Sequence, residues 1–379
     1  MPINRKIGGY ITANPIAPSS TLARGGWTLS QQLQAVSAGL WPLPPFTGSI
    51  AVAHETSPHI TAYPWSGSGF GTKFANPATL PTDTGLGVAF SPSGNAIAVA
   101  HYRSPCVTAY PWSSSGFGTK FANPATLPTS ECQEVAFSPA GDAIAVAQYS
   151  SPFLAAYPWS GSGFGTKFAN PGPPPIGTGY GVAFSPAGNA VAIGTNWGGG
   201  GSPILSVYSW SGSGFGSKFA NPATLPTFQS NSVAFSPSGD AIATATGDAP
   251  GVYVYPWSGS GFGTKFANPA TLPNGGGNGV AFSPTGAAIA VAHGTTPFVS
   301  AYPWSVSGFG TKFADPTTLP AGAGRGVAFS PLSDAIAVSH STTPFVTAYP
   351  WSTSGFGTKY TNPATLPTGQ GYGVAFGAI

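Results

Sequence analysis

Residues 87–121 read GVAFSPSGNAIAVAHYRSPCVTAYPWSSSGFGTKF, four short apolar runs separated by turn chemistry. GVAF (87–90) leads through the turn SPSGN to AIAVAH (96–101), then to VTAYPW (107–112), and after the turn SSSG to FGTKF (117–121). Ser, Pro, Gly and Asn supply the dihedrals and local hydrogen bonds of tight turns, so the pattern predicts strand–turn–strand structure throughout. In AIAVA, Ile97 and Val99 point to one face while Ala98 and Ala100 point to the other, and Val88 and Phe90 alternate with Ala89 in the same way. One face is bulky and the other small, so a copy can press its large side chains onto a neighbour's alanines. Pro111 cannot donate to a ladder, which predicts that the regular ladder ends near Tyr110, with Pro-Trp as the exit into the turn.

The stretch is one copy of a repeat. Trp65, Trp112, Trp159, Trp210, Trp257, Trp304 and Trp351 are separated by 47, 47, 51, 47, 47 and 47 residues, and the longer interval holds the insertion NWGGGGSP at 196–203. The phrase YPWSGSGFGTKFANPATLP (63–81) recurs almost unchanged in all of them. Four strands in such a period match one propeller blade. A β-solenoid is the rival, but its coils are usually shorter and need no closure. The ends of the array decide: the first unit begins at Ser49 with SIAVAH and lacks GVAF, while the chain finishes on GYGVAFGAI. Together they complete one unit, which closes a ring and removes strand edges. The expected fold is all-β, a seven-bladed β-propeller over 49–379 closed by its C-terminal strand, preceded by an arm over 1–48.

The phrase VAFSPSGNAIAVA, with Trp ending a later strand, resembles the WD-repeat and YVTN-type propeller families. Ser follows each of the seven Trp where WD repeats have Asp, and no Gly-His pair opens the units. The resemblance therefore implies the fold and no activity.

Composition narrows the partners. Gly (54) and Pro (41) are abundant among 379 residues, but 41% hydrophobic and 13% aromatic content is ample for burial and argues against disorder. Charged residues are 6%, and seven of the twelve Lys and Arg are one Lys per repeat, such as Lys73 and Lys120. Evenly spaced single charges build no basic patch, which speaks against nucleic acid. No run is long enough to span a membrane, and MPINRKIGGY lacks the apolar stretch of a secretory signal. Cys106 and Cys132, in neighbouring repeats, read as unpaired thiols, with one bridge as the alternative.

Residues 1–48 lie outside the period. WTLSQQLQAVSAGLWP (27–42) has helix grammar: Thr28 with Gln31 fits a capping box, and Gly39 and Pro42 are stop signals. Leu29, Leu33, Val36 and Leu40 form the apolar stripe, flanked by Trp27 and Trp41 as further docking residues. The Gly-Tyr start, the GGWTLSQQ segment and the closing Gly-Leu-Trp-Pro resemble a segment of tailed-bacteriophage virion proteins, fibre or decoration components above all. Units similar to GFGTKFANPATLP occur there too. The resemblance implies a virion structural protein, located in the virion, whose arm docks on other virion proteins within a larger assembly.

Acids are few. Asp142, Asp240 and Asp334 share a turn position with Asn95 and Asn189, while Glu55, Asp83, Glu131, Glu134, Asp248 and Asp315 show no paired spacing. No catalytic residue, metal or cofactor is assigned. His54, His101, His293 and His340 recur after the AIAVA-type strand and form an arc; capping by duplication is preferred to metal binding, because equivalent points on adjacent blades lie too far apart for a shared ion. Two loop sets vary between copies and emerge on one face, with Trp197, Tyr102, Arg103, Tyr149, Arg325 and Tyr372 as ligand-contact candidates. The leading expectation is a non-enzymatic virion component. An adhesin binding a host-surface glycan through these loops comes second, and a propeller enzyme such as a lactonase or glycosidase third.

Overall fold

Each repeat becomes a four-stranded antiparallel meander. In the second blade these are Gly85–Phe90 (inner), Ala96–His101, Val107–Ser113 and Gly116–Phe117 (outer). The computed structural model describes residues 16–19, 22–24, 45–196 and 204–378. Seven such sheets form the ring, and inner strands of successive blades pack side by side around it. Closure is as expected: Gly371–Gly377 pairs with Gly48–His54, with Ile50 opposite Phe376 and Val52 opposite Val374.

Large-on-small stacking holds the blades together. Ala51, Ala53 and Ala62 of the first blade pack against Ile97, Val99, Tyr110 and Trp112 of the second. Ala96, Ala98 and Ala100 then receive Ile144, Val146, Tyr157 and Trp159 of the third. Each fully buried aliphatic side chain contributes about 1.5–3 kcal/mol relative to exposure. The invariant phrase supplies the remaining joints. Trp112 sits edge-on to Phe90 and Phe117 of its own blade and Phe74 of the preceding one, at 5.3, 4.9 and 5.1 Å between ring centres. The Tyr110 hydroxyl donates to the Thr79 carbonyl of the preceding lead at 2.7 Å, and Tyr63 donates to Thr365 across the closure at 2.7 Å. The Ser-Pro turns are pinned by Ser91, which donates to Asn95 Oδ1 at 3.0 Å and accepts from Ala96 N at 3.0 Å.

Two strand details correct the sequence reading. The ladder does not stop at Tyr110: Pro111 pairs with Ala96 and the strand runs to Ser113. Trp112 N donates to Asn95 O at 2.8 Å on the inner side, so by alternation the nitrogen of Pro111 faces outward, where its missing hydrogen costs the inner ladder nothing. The cost falls on the outer strand, which is two residues long rather than the expected 117–121. Six blades carry proline here and have a two-residue outer strand; the fourth has Ser209, and its outer strand, Gly214–Lys218, has five.

By contacts the chain divides into Met1–Pro45 and Phe46–Ile379. In the first unit Ile16–Ser19 and Leu22–Arg24 pair antiparallel. The helix expected over 27–42, with Trp27, Leu29, Leu33, Val36, Leu40 and Trp41, lies outside the described residues.

Candidate functional site

The site is built by a bulge repeated in every inner strand. In the second blade Gly85 opposes His101 but Gly87 opposes Ala100, leaving Leu86 unpaired. A bulged residue is re-aimed by the local kink. The same shift recurs around the ring. The bulged residues are Leu86, Gln133, Tyr180, Asn231, Asn278, Arg325 and Tyr372, and all seven line one central cavity of about 420 Å³. Unlike the wall behind them, they barely repeat. One residue deeper the positions are Gly87, Glu134, Gly181, Ser232, Gly279, Gly326 and Gly373, and beyond these lies a ring of valines, Val88 among them.

The glycines are required by crowding. A β-carbon on Gly87 would lie 2.4 Å from Glu134 Oε1, and one on Gly181 2.7 Å from Ser232 Cα. Only Glu134 and Ser232 therefore offer side-chain chemistry at this level. Glu134 and Arg325 are the two charged residues of the lining and come from the third and seventh blades, as far apart as a seven-fold ring places two blades. They make no ion pair; the described residues hold only Arg103–Asp83 and Lys312–Asp315.

Burial pushes the Glu134 carboxyl up to about 8, partly offset by the hydrogen bond that Val135 N donates to Oε1 at 3.1 Å. Arg325 lies over the Tyr372 ring, its guanidinium carbon 5.9 Å from the ring centre, and its Nε is buried without a partner. Amides hold the neighbouring wall. Asn231 donates to Gly277 O at 2.8 Å, Asn278 to Gly324 O at 2.7 Å, and Gln229 to Asn231 Oδ1 at 2.8 Å. Gln370 donates to the Tyr372 hydroxyl at 2.6 Å. The arrangement is a polar cup with a carboxyl on one wall and an unpaired guanidinium on the other.

The sequence-derived contact set divides. Arg325 and Tyr372 line the cavity rather than the loop face. Tyr102 and Tyr149 are about half exposed, 47% and 50%, on the loops between second and third strands, outside the cavity lining. Arg103 pairs with Asp83 at 2.6 Å while its side chain stays 76% exposed. Trp197 lies outside the described residues. Reading acids along the chain missed Glu134, and the loop comparison missed Gln133, Tyr180, Gln229, Asn231 and Asn278. The signal was a column through the repeats, two residues before the repeated valine, that varies between copies inside an otherwise repeated strand.

The four histidines do not converge. Each is buried and bonded within its own blade: His54 Nε2 to Thr61 Oγ1 at 2.8 Å, His101 to Thr108 at 2.9 Å, His293 to Ser300 at 3.0 Å and His340 to Thr347 at 2.9 Å. In the third blade Gln148 replaces His and Ala155 replaces the hydroxyl partner, whereas in the fourth Thr195 replaces His and Ser206 keeps the hydroxyl. Among the described residues no group of three His, Cys, Asp or Glu side chains could hold a metal, and no helix is long and apolar enough to cross a membrane.

No family model and no curated protein matches the chain. Solved structures do share its fold. A Lactobacillus plantarum protein is 15% identical, with 87% of this chain and 99% of that one covered at TM-score 0.68. A proposed 6-phosphogluconolactonase from Bacteroides fragilis is 13% identical, covering 87% and 98% at TM-score 0.67. The periplasmic gluconolactonase of Pseudomonas aeruginosa is 16% identical, covering 88% and 100% at TM-score 0.65.

These neighbours correct the functional expectation drawn from the arm. Those that carry a functional name are named as lactonases, none as a fibre or decoration protein, and one is periplasmic by its name. The non-enzymatic virion component, its virion partners and location, and the glycan adhesin beside it are withdrawn. The physical reason is where the signal lay. The phage-like segment covers under a tenth of the chain and precedes the repeats, whereas the structural likeness spans the repeats themselves.

Proposed function

We propose that the protein hydrolyses small polyhydroxylated lactones in its central cavity, with Glu134 as general base and Arg325 as the group that receives developing negative charge. The carrying observation is that the one set of non-repeating side chains in the inner wall surrounds a carboxyl and an unpaired guanidinium on opposite sides. The names of the structural neighbours support this reaction class; at their low identity they add nothing about residues. The amides and phenols of Asn231, Asn278, Gln133, Tyr180 and Tyr372 suit a ligand rich in hydroxyls.

In this reading the Glu134 carboxylate takes a proton from a water as its oxygen attacks the lactone carbonyl carbon. The carbonyl oxygen becomes an oxyanion facing Arg325. Collapse breaks the ring C–O bond, and the leaving alkoxide takes the proton from Glu134. The carboxylic acid so formed keeps the second proton of the water and gives it up to solvent, leaving the product carboxylate facing the guanidinium. Because the base must be ionised and its carboxyl is raised to about 8, activity should rise with pH through about 8.

The test is pH-stat hydrolysis of a panel of sugar lactones, corrected for spontaneous opening. Glu134→Gln should lower kcat by roughly 10²–10⁴-fold, and Arg325→Gln should lower kcat/KM with the fold intact by circular dichroism. Hydrolysis at background rate with every lactone, or an undiminished rate in Glu134→Gln, would overturn the proposal.

A further inference from the structure

Five inner strands open on a glycine, at positions 85, 179, 277, 324 and 371, and the reason is steric. A β-carbon there would stand between 2.2 and 2.5 Å from the carbonyl oxygen of a loop-tip residue in the preceding blade, namely His59, Phe153, Gly251, Phe298 and Phe345 in turn. The third blade breaks this pattern at both positions together. Cys132 stands where the glycine would be, and the loop-tip position it faces in the second blade is Cys106.

Both thiols are free and both are buried in one apolar cluster, where the Cys132 thiol donates to Ser130 O at 3.9 Å. The Cys106 tip is held in place: His101 N donates to Cys106 O at 2.9 Å, and Cys106 N to Arg103 O at 2.8 Å. Cys132 is the last regular pair, opposite Gln148, before the bulge that carries Gln133 and Glu134. A link at Cys132 therefore acts on the backbone two residues from the cavity carboxyl.

We propose that Cys106 and Cys132 are a redox-responsive pair that closes to a disulfide on reaction with a small-molecule disulfide, stapling the loop of the second blade to the bulge that presents Glu134. The Cys106 thiol is the attacking group: the neighbouring Cys132 side chain lowers it, whereas burial pushes the Cys132 thiol up. The Cys106 thiolate attacks one sulfur of the oxidant and expels a thiolate. Cys132 then loses its proton and attacks the Cys106 sulfur of the mixed disulfide, expelling the second thiolate. Two electrons pass to the oxidant, and the two protein protons end on the two released thiols. The part concerning Glu134 as a working carboxyl rests on the functional reading above; the pairing of the thiols does not.

The full chain is titrated with oxidised glutathione and followed by peptide mapping, thermal melting and carboxyl-13C NMR of Glu134. The expected result is one intramolecular disulfide joining peptides that contain Cys106 and Cys132. It should raise Tm by several degrees, as closure of an unfolded-state loop does, and shift the Glu134 titration midpoint, with both changes reversed by dithiothreitol. Cys132→Gly and Cys106→Phe restore residues found at these positions in other blades, so they should fold and lose both responses. Two thiols left free, or glutathione retained on Cys106, overturns the pair. A disulfide that forms while the Glu134 midpoint stays put overturns its link to the cavity. None of these readouts uses lactone hydrolysis, so a failed assay there and a failed pair here are separate results.

Discussion

The outer wall and the inner rim of this ring come from the same repeat and have opposite histories of change. The wall phrase around Trp112 is nearly identical in seven copies, and its aromatic residues join one blade to its neighbour. Tyr110 bonds the preceding lead, Trp112 fills a cage of three phenylalanines, and the alanines of each sheet receive the aliphatics of the next. At the bulge seven different environments meet around one axis, and Leu86, Gln133, Tyr180, Asn231, Asn278, Arg325 and Tyr372 have diverged. Repetition marks what must tile, and departure from repetition marks the side chains that meet around the axis.

This contrast can be broken most forcefully at the wall. Trp112→Ala opens a cavity between two blades and should cost about 3–5 kcal/mol in chemical denaturation, while the cavity chemistry of the folded fraction stays intact. A smaller loss would mean that the cage is not a joint. Acid should act next. Burial lowers His54, His101 and His340 from 6.5 to about 4. The unfolded chain then binds more protons than the folded one between these values. Their contribution is present above about pH 6.5 and lost as pH falls toward 4, at up to roughly 3 kcal/mol each. Denaturation midpoints should drop steeply over that window, and His101→Gln should flatten the slope; a flat profile would remove the histidines from the stability account.

At the rim the sign reverses. The Glu134 carboxyl is raised to about 8, so the folded state holds its proton more tightly than the unfolded one. The associated stability is full below the ordinary carboxyl value and is lost as pH rises through 8. Glu134→Gln should therefore melt higher than the parent at pH 9 and no higher at pH 4, the signature of a rim residue held against stability. The smallest effect is expected on the loops between second and third strands. Tyr102→Ala and Tyr149→Ala should change stability by no more than about 0.5 kcal/mol and leave lactone turnover unchanged. A large loss of turnover would return the site to the loop face.

Much of the architecture was legible without coordinates. The Trp spacing counted the blades, SIAVAH and GYGVAF at the two ends required closure, and the Ile/Val and Ala alternation told which faces would meet. The proline at position 111 was misread because a period-two argument says which residues share a face of the sheet, but not which ladder a given nitrogen serves. The site was legible only in part. Arg325 and Tyr372 were singled out, for their place in variable loops, and Glu134 was set aside as an isolated acid. Pairing is a property of distance in space, and Glu134 and Arg325 are 191 positions apart in the chain.

By itself, then, the sequence determined a closed ring of seven stacked sheets, because tiling needs only local periodicity and complementary faces, and both are written in every copy. The tertiary structure decided which variable column faces the axis. A one-residue bulge redirects that side chain, and ring closure sets Glu134 of the third blade across from Arg325 of the seventh. Neither a kink in a ladder nor a distance across a ring has a signature in the order of residues along one strand.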